Sequence, residues 1–223
     1  MLNQWFFLAL IFMGLNWLAI WFEWKLANYL SKPAIILALL GWFFSTAGLS
    51  FPALWFGIGL AFALAGDTLL LFPGKCFLYG TAAFMATHIA YIIGFNQSLP
   101  VMSPAIIALM MISFSLWVLI FTILRRAARS NEAYHTIEIP LIVYNLIILL
   151  MVISALMTNF RAEWLPGASA LVSCGALLFL FSDMLLAVDR FIQPLPTARL
   201  WKGVTYQLGQ LAIIAGVLLT FSA

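Results

Sequence analysis

Charge is scarce in this chain, and so are cysteine and histidine. Only 8% of its 223 residues are Asp, Glu, Lys or Arg, 65% are hydrophobic, and the mean hydropathy is +1.12. That balance excludes a water-soluble domain and points to a polytopic helical membrane protein. There are two cysteines, Cys76 and Cys174, and two histidines, His88 and His135. A zinc site needs three or four His, Cys or carboxylate ligands. His135 falls in a loop, away from His88, so no metal site is expected and no cofactor is called for. No GxSxG elbow, Walker loop or GxGxxG is present, and no Ser lies near a His in sequence. A Ser-His-Asp hydrolase therefore has no direct support. A basic stripe on an aqueous fold is also missing, so nucleic acid is not an expected partner.

What is present is a series of long apolar runs. A spanning helix needs about 20 mostly apolar residues. Eight such spans are expected, at roughly 4–22, 33–50, 52–72, 77–96, 104–124, 138–158, 167–188 and 203–222. The fold class is all-α, a polytopic membrane bundle, with residues 1–223 forming a single transmembrane domain. The first span has no basic n-region and no small-residue cleavage site, so it reads as a helix rather than a removed signal peptide. Ser50-Phe51-Pro52 separates the second and third spans, predicting a tight hairpin. Trp5, Trp21, Trp24, Trp55, Trp164 and Trp201 fall near span ends, where interfacial belts belong.

Basic residues orient the bundle. The connections after spans one, three, five and seven hold Lys25, Lys32, Lys75, Arg125, Arg126, Arg129, Arg190, Arg199 and Lys202; the other side holds only Arg161. This bias places those connections in the cytoplasm and both termini outside it. The cysteines then lie toward opposite faces, and no disulfide between them is expected. Short loops and the lack of targeting segments suggest a bacterial inner membrane.

Two aspartates stand out against this background. One lies in Gly66-Asp67-Thr68-Leu69-Leu70, the other in Ser182-Asp183-Met184-Leu185-Leu186. An ionisable side chain within a bilayer costs a few kcal/mol or more and is by default a functional-site candidate. The phrases are four spans apart, so their helices run in one direction. A parallel duplication of a four-helix unit would explain the echo; chance similarity of apolar sequence is the alternative.

Helical rise puts Asp67 and Asp183 about 9 Å from the cytoplasmic ends of their spans. Tyr206, Gln207 and Gln210 enter span eight from the same side, and Tyr144 and Asn145 enter span six. His88 and Tyr91 share a face of span four but lie deeper, near the midplane. An Asp, Asp, His metal site is possible by residue count, yet this depth sets His88 about two turns away. The layer predicts a polar cavity in the cytoplasmic half. Interhelical hydrogen bonding is the structural alternative for each of these residues. Gly57-Ile58-Gly59 and Gly209 read as helix-packing positions, and Arg125, Arg126 and Arg129 as topology determinants.

The run from Gly66-Asp67-Thr68 to Phe72, followed by Phe84, His88, Tyr91 and Phe95, resembles the YhhN-like lysoplasmalogenase family of membrane proteins. So do Gly175 to Asp183 continuing to Asp189-Arg190-Phe191, the Tyr206 and Gln210 pattern, and Lys32-Pro33 opening the second span. The resemblance covers nearly the whole chain and is least between spans one and two. It implies hydrolysis of the vinyl ether bond of lysoplasmalogens to a fatty aldehyde and glycerophosphoethanolamine or glycerophosphocholine.

That chemistry begins with protonation of the vinyl β-carbon and passes through an oxocarbenium ion to which water adds. It needs one acid and one anion. Two neighbouring carboxyls supply both when their surroundings hold one protonated and one ionised, as in glycosidases. Asp67 and Asp183 are the expected pair. Tyr206, Gln207 and Gln210 would orient water or a glycerol hydroxyl, with Tyr91, Tyr144 and Asn145 completing the polar lining. His88 would bond a carboxylate or cap the cavity. Lys202, Arg190 and Lys75 at the rim would contact the substrate phosphate. The partners implied are a lysophospholipid substrate and membrane lipid; oligomeric state is left open. A proton-coupled transporter using the same aspartates as a relay is the main competing reading. A hydrolase of another lipid bond and a non-catalytic scaffold remain alternatives.

Overall fold

A computed structural model describes residues 2–51, 53–72, 76–98 and 100–221. Helices follow the apolar runs closely because an apolar backbone in lipid can satisfy its N–H and C=O groups only internally. In chain order they are α1 (Gln4–Trp21), α2 (Lys25–Ala47), α3 (Leu54–Leu70), α4 (Cys76–Phe95), α5 (Pro104–Ala128), the short α6 (Glu132–Thr136), α7 (Glu138–Met157), α8 (Pro166–Phe191) and α9 (Ala198–Phe221). Seven of these are long and apolar enough to cross a membrane. The expected span 52–72 is helical over Leu54–Leu70, 17 residues. At 1.5 Å per residue that is about 25 Å, short of the ~30 Å hydrocarbon core.

One boundary is corrected. Pro33 does not open the second helix; α2 starts at Lys25 and runs through Pro33. Proline removes one backbone donor, so the Tyr29 carbonyl loses its usual partner. The eight residues before Pro33 nevertheless form helix, and this brings Asn28, Ser31 and Lys32 into the bundle on consecutive turns. The notional loop after span one shrinks to the few residues around Glu23. Lys75 and Pro52 lie outside the described residues.

The helices pack chiefly as sequential hairpins, α1 with α2, α3 with α4 and α8 with α9, while α4 and α7 join the halves. The α8–α9 crossing is the tightest. A Cβ on Gly175 would stand 2.6 Å from the Gly209 carbonyl oxygen, and one on Gly209 would stand 2.8 Å from the Gly175 carbonyl oxygen. Only glycine permits that backbone approach. Gly59 likewise admits the ring of Tyr91. The core holds Trp42, Phe43, Phe56, Tyr91, Phe95 and Phe179, all fully buried. In α5 only Ile106 and Ala128 are buried, so this helix presents nearly its whole surface outward.

Candidate functional site

Inside the bundle lies a cavity of about 330 Å³, in the size range of small-molecule sites. Its wall is built from α1, α2, α3, α4, α5, α7, α8 and α9, and both Asp67 and Asp183 face it. Tyr144, Asn145, Tyr206, Gln207, Lys202 and Arg190 also line it. His88, Tyr91 and Gln210 do not; they stand behind the wall and hold what lines it.

The two carboxyls have different surroundings. Asp67, 1% exposed, sits three residues before the end of α3. Its Oδ1 is 3.0 Å from Lys32 Nζ, and its Oδ2 accepts the Tyr206 hydroxyl proton at 2.9 Å. A buried carboxylate is strongly disfavoured without such partners. Lys32, on α2, thus supplies the countercharge, and Tyr206, on α9, fixes the orientation. Phe84 and Phe179 pack edge-on against the Tyr206 ring and hold it there.

Among the described residues, the one basic group within ion-pair distance of Asp183, on α8, is His88. The Tyr144 hydroxyl donates to its Oδ2. His88 Nε2 is 3.2 Å from the same hydroxyl and 3.9 Å from Asp183 Oδ2. Because the tyrosine proton points at the carboxyl, Tyr144 Oη accepts from His88 Nε2–H. His88 is fully buried, and its Nδ1 has no partner among the described residues. Asp183 Oδ1 has no hydrogen-bond partner among the described residues and is free to serve the cavity.

The depth argument therefore misplaced His88. Helix α8 continues to Phe191, so Asp183 lies about 12 Å from that end. The reach of Tyr144 closes the remaining gap. Tyr91 donates to Gln210 Oε1 at 2.6 Å, tying α4 to α9 behind the Asp67 side. Asn145 spends its amide on the Leu141 carbonyl, at 2.8 Å, and shows its other edge to the cavity.

At the rim, the cations differ in availability. Lys202 Nζ pairs with Asp189 Oδ2 at 2.6 Å, and the Leu195 amide caps the same carboxylate at 3.0 Å, so the α8–α9 turn is pinned. The Arg190 guanidinium lies 3.7 Å over the Phe77 ring. Arg199, unassigned from sequence, lines the mouth with no ion pair among the described residues.

Sequence reasoning missed a further wall. Asn16, Asn28 and Lys32 face the cavity from α1 and α2. Asn16 donates to Asn28 Oδ1 at 3.1 Å and to Ser31 Oγ at 2.9 Å. Gln207 donates to Asn16 Oδ1 at 2.8 Å and accepts from Trp17 Nε1 at 2.7 Å. A signal for it exists. Asn28, Ser31 and Lys32 recur at i, i+3 and i+4, which is one helical face once α2 is extended backward.

These features define a class: an all-helical integral membrane protein with two carboxyls facing one internal cavity. The chain belongs to the YhhN family, which matches residues 27–217. Among curated proteins it is 29% identical over 197 residues to mouse lysoplasmalogenase TMEM86B, covering 88% of this chain and 76% of the mouse protein. The rat protein of the same name is 30% identical over 201 residues, covering 90% of this chain and 74% of its own. The human one is 30% identical over 196 residues, covering 88% and 76%. No solved structure matches.

Proposed function

We propose that this protein is a lysoplasmalogenase, which hydrolyses the vinyl ether of a lysoplasmalogen to a fatty aldehyde and a glycerophospho-alcohol. The relatives named lysoplasmalogenase support the substrate class. The observation that carries the chemistry is the asymmetry of the two carboxyls on one cavity. Among the described residues, Asp67 has a lysine partner and Asp183 has none.

In this reading Asp67 is the carboxylate and Asp183 the acid. Asp183 Oδ1–H gives its proton to the vinyl β-carbon, and the ether oxygen lone pair forms the oxocarbenium ion. Asp67 stabilises that cation and takes a proton from the water that adds to it. Collapse of the hemiacetal returns the hydroxyl proton to Asp183. Asp67 then hands its proton to the departing glycerol oxygen. One water is consumed and both carboxyls regain their starting states. His88 and Tyr144 position Asp183; Lys32 and Tyr206 position Asp67. The alkenyl chain lies among Phe84, Phe179, Leu70 and Leu124, and the phosphate sits at the basic rim, on the cytoplasmic side by the positive-inside bias.

The test is aldehyde release from a lysoplasmalogen by the purified protein in detergent, with the matching acyl lysolipid as control. Wild type should release aldehyde only from the vinyl ether. Asp67→Asn and Asp183→Asn, each folded by thermal melting, should lose about 100-fold or more, the scale of a general acid or base. No aldehyde from folded wild type would discard the assignment and make transport the next assay. Full activity in either variant would discard the carboxyl mechanism.

A further inference from the structure

The polar chain across α1, α2 and α9 has a direction, and it runs to Asn28 at the cavity wall. Trp17 Nε1 can only donate, so Gln207 Oε1 must accept, at 2.7 Å. The Gln207 amide nitrogen must then be the group that donates to Asn16 Oδ1, at 2.8 Å. Asn16 is left with its two N–H bonds, which go to Asn28 Oδ1 and Ser31 Oγ. The Ser31 hydroxyl passes on to the Ala27 carbonyl at 2.6 Å and closes that branch. The Asn28 amide N–H groups have no protein acceptor among the described residues, and the second N–H of Gln207 has none either; Asn28 alone keeps both of its donors. Asn28 is 6% exposed, and what it exposes lines the cavity. A donor held in one orientation and facing a cavity is a reading head for an acceptor oxygen.

Its position says which oxygen. Asn28 and Lys32 lie one turn apart on α2, about 6 Å, with Lys32 against Asp67 on the inner side. Arg199 and Arg190 lie at the rim. In a lysophospholipid, the carbon between the phosphate arm and the ether arm carries the free sn-2 hydroxyl. The wall around Asn28 is closed by Asn16 and Gln207, each 1% exposed.

We propose that Asn28, oriented by the Trp17–Gln207–Asn16 chain, is a specificity-determining donor to the free sn-2 hydroxyl oxygen of the lysolipid glycerol. This rests on the lysoplasmalogenase reading for the identity of the ligand. It accounts for selection of the lyso form by one hydrogen bond. Trp17 is a positioning residue: it does not line the cavity, and it acts by fixing which edge of three amides faces where.

The experiment is calorimetric binding of two non-hydrolysable ligands to the full chain in detergent: a 1-O-alkyl lysophosphatidylethanolamine and its 2-deoxy analogue. Wild type should bind the hydroxyl-bearing ligand roughly tenfold tighter, the scale of one neutral hydrogen bond. Asn28→Leu should bind both ligands alike. Trp17→Phe, which keeps the apolar shape and removes the indole N–H, should lose part of the preference. Equal binding of both ligands by wild type would overturn the proposal and leave the phosphate as the acceptor. So would a full preference in Asn28→Leu. If Asn28→Leu does not fold, a full preference in Trp17→Phe overturns it instead. Because binding needs no turnover, a wild type that prefers the hydroxyl but releases no aldehyde would remove the hydrolase reading and leave this site standing.

Discussion

The Lys32–Asp67 ion pair places a carboxylate almost fully out of solvent against a partly exposed lysine. Asp67 is 1% exposed and Lys32 22%, so the carboxylate bears most of the desolvation and the lysine keeps some contact with the cavity. Removing one partner of a fully buried pair costs about 3–5 kcal/mol. With Lys32 partly solvated, Lys32→Met should cost about 2–3 kcal/mol, seen as a lower melting temperature in detergent. The double variant Lys32→Met with Asp67→Asn should regain much of that stability and none of the activity. Tyr206→Phe and Tyr144→Phe each remove the donor to one carboxyl. Each should lower kcat about tenfold or more while leaving KM nearly unchanged, since hydrogen bonds to charged groups contribute about 1.5–3 kcal/mol. Asp67 and Asp183 were legible in the sequence because an ionisable residue in an apolar run has no ordinary reason to be there. Their partners were less so. Lys32 carries the charge expected of a loop next to the membrane, and only the helix that continues through Pro33 turns it inward.

Helices α8 and α9 carry Asp183 and Tyr206, and their backbone contact at Gly175 and Gly209 sets how those two residues stand relative to one another. Little at that crossing can yield, because the nearest atoms in the way are main-chain, the carbonyl oxygens of Gly209 and Gly175 and the nitrogens of Ile213 and Phe179. Gly175→Ala or Gly209→Ala should therefore destabilise by about 1–3 kcal/mol and reduce aldehyde release per folded molecule. The same substitution at Gly14, which has open space around it, should do neither. Helix positions were readable from apolar run length alone, and their packing glycines from position within the runs. Helix ends were not. Depth counted from a guessed end placed His88 two turns from the carboxyl it approaches to 3.9 Å, because α8 extends further than its apolar run and Tyr144 spans the remainder.

At the scale of the whole molecule, the two ends of the bundle do different work. One end opens the cavity among Arg190, Arg199 and Lys202. The other is closed by Arg161, 5% exposed, which donates to the Phe95 carbonyl and to Asn96 Oδ1, the latter at 2.7 Å. Burial pulls its guanidinium below the ordinary arginine range, and Glu163 offsets part of that. Arg161→Met should lower the melting temperature yet leave aldehyde release per folded molecule unchanged, because the staple is remote from the carboxyls. With Cys76 and Cys174 replaced by Ser, Asn3→Cys and Arg199→Cys should react with an impermeant maleimide from opposite faces of the membrane. The basic-residue bias predicts that orientation; the polar wall of α1 and α2 was hidden because its asparagines look like ordinary interhelical contacts until a cavity is seen beside them. The central claim is that a carboxyl proton goes to carbon. Turnover of a lysoplasmalogen in D2O, with the aldehyde trapped as it forms, tests this directly. The account predicts one deuterium on the carbon next to the aldehyde group. An aldehyde with no deuterium there would contradict it.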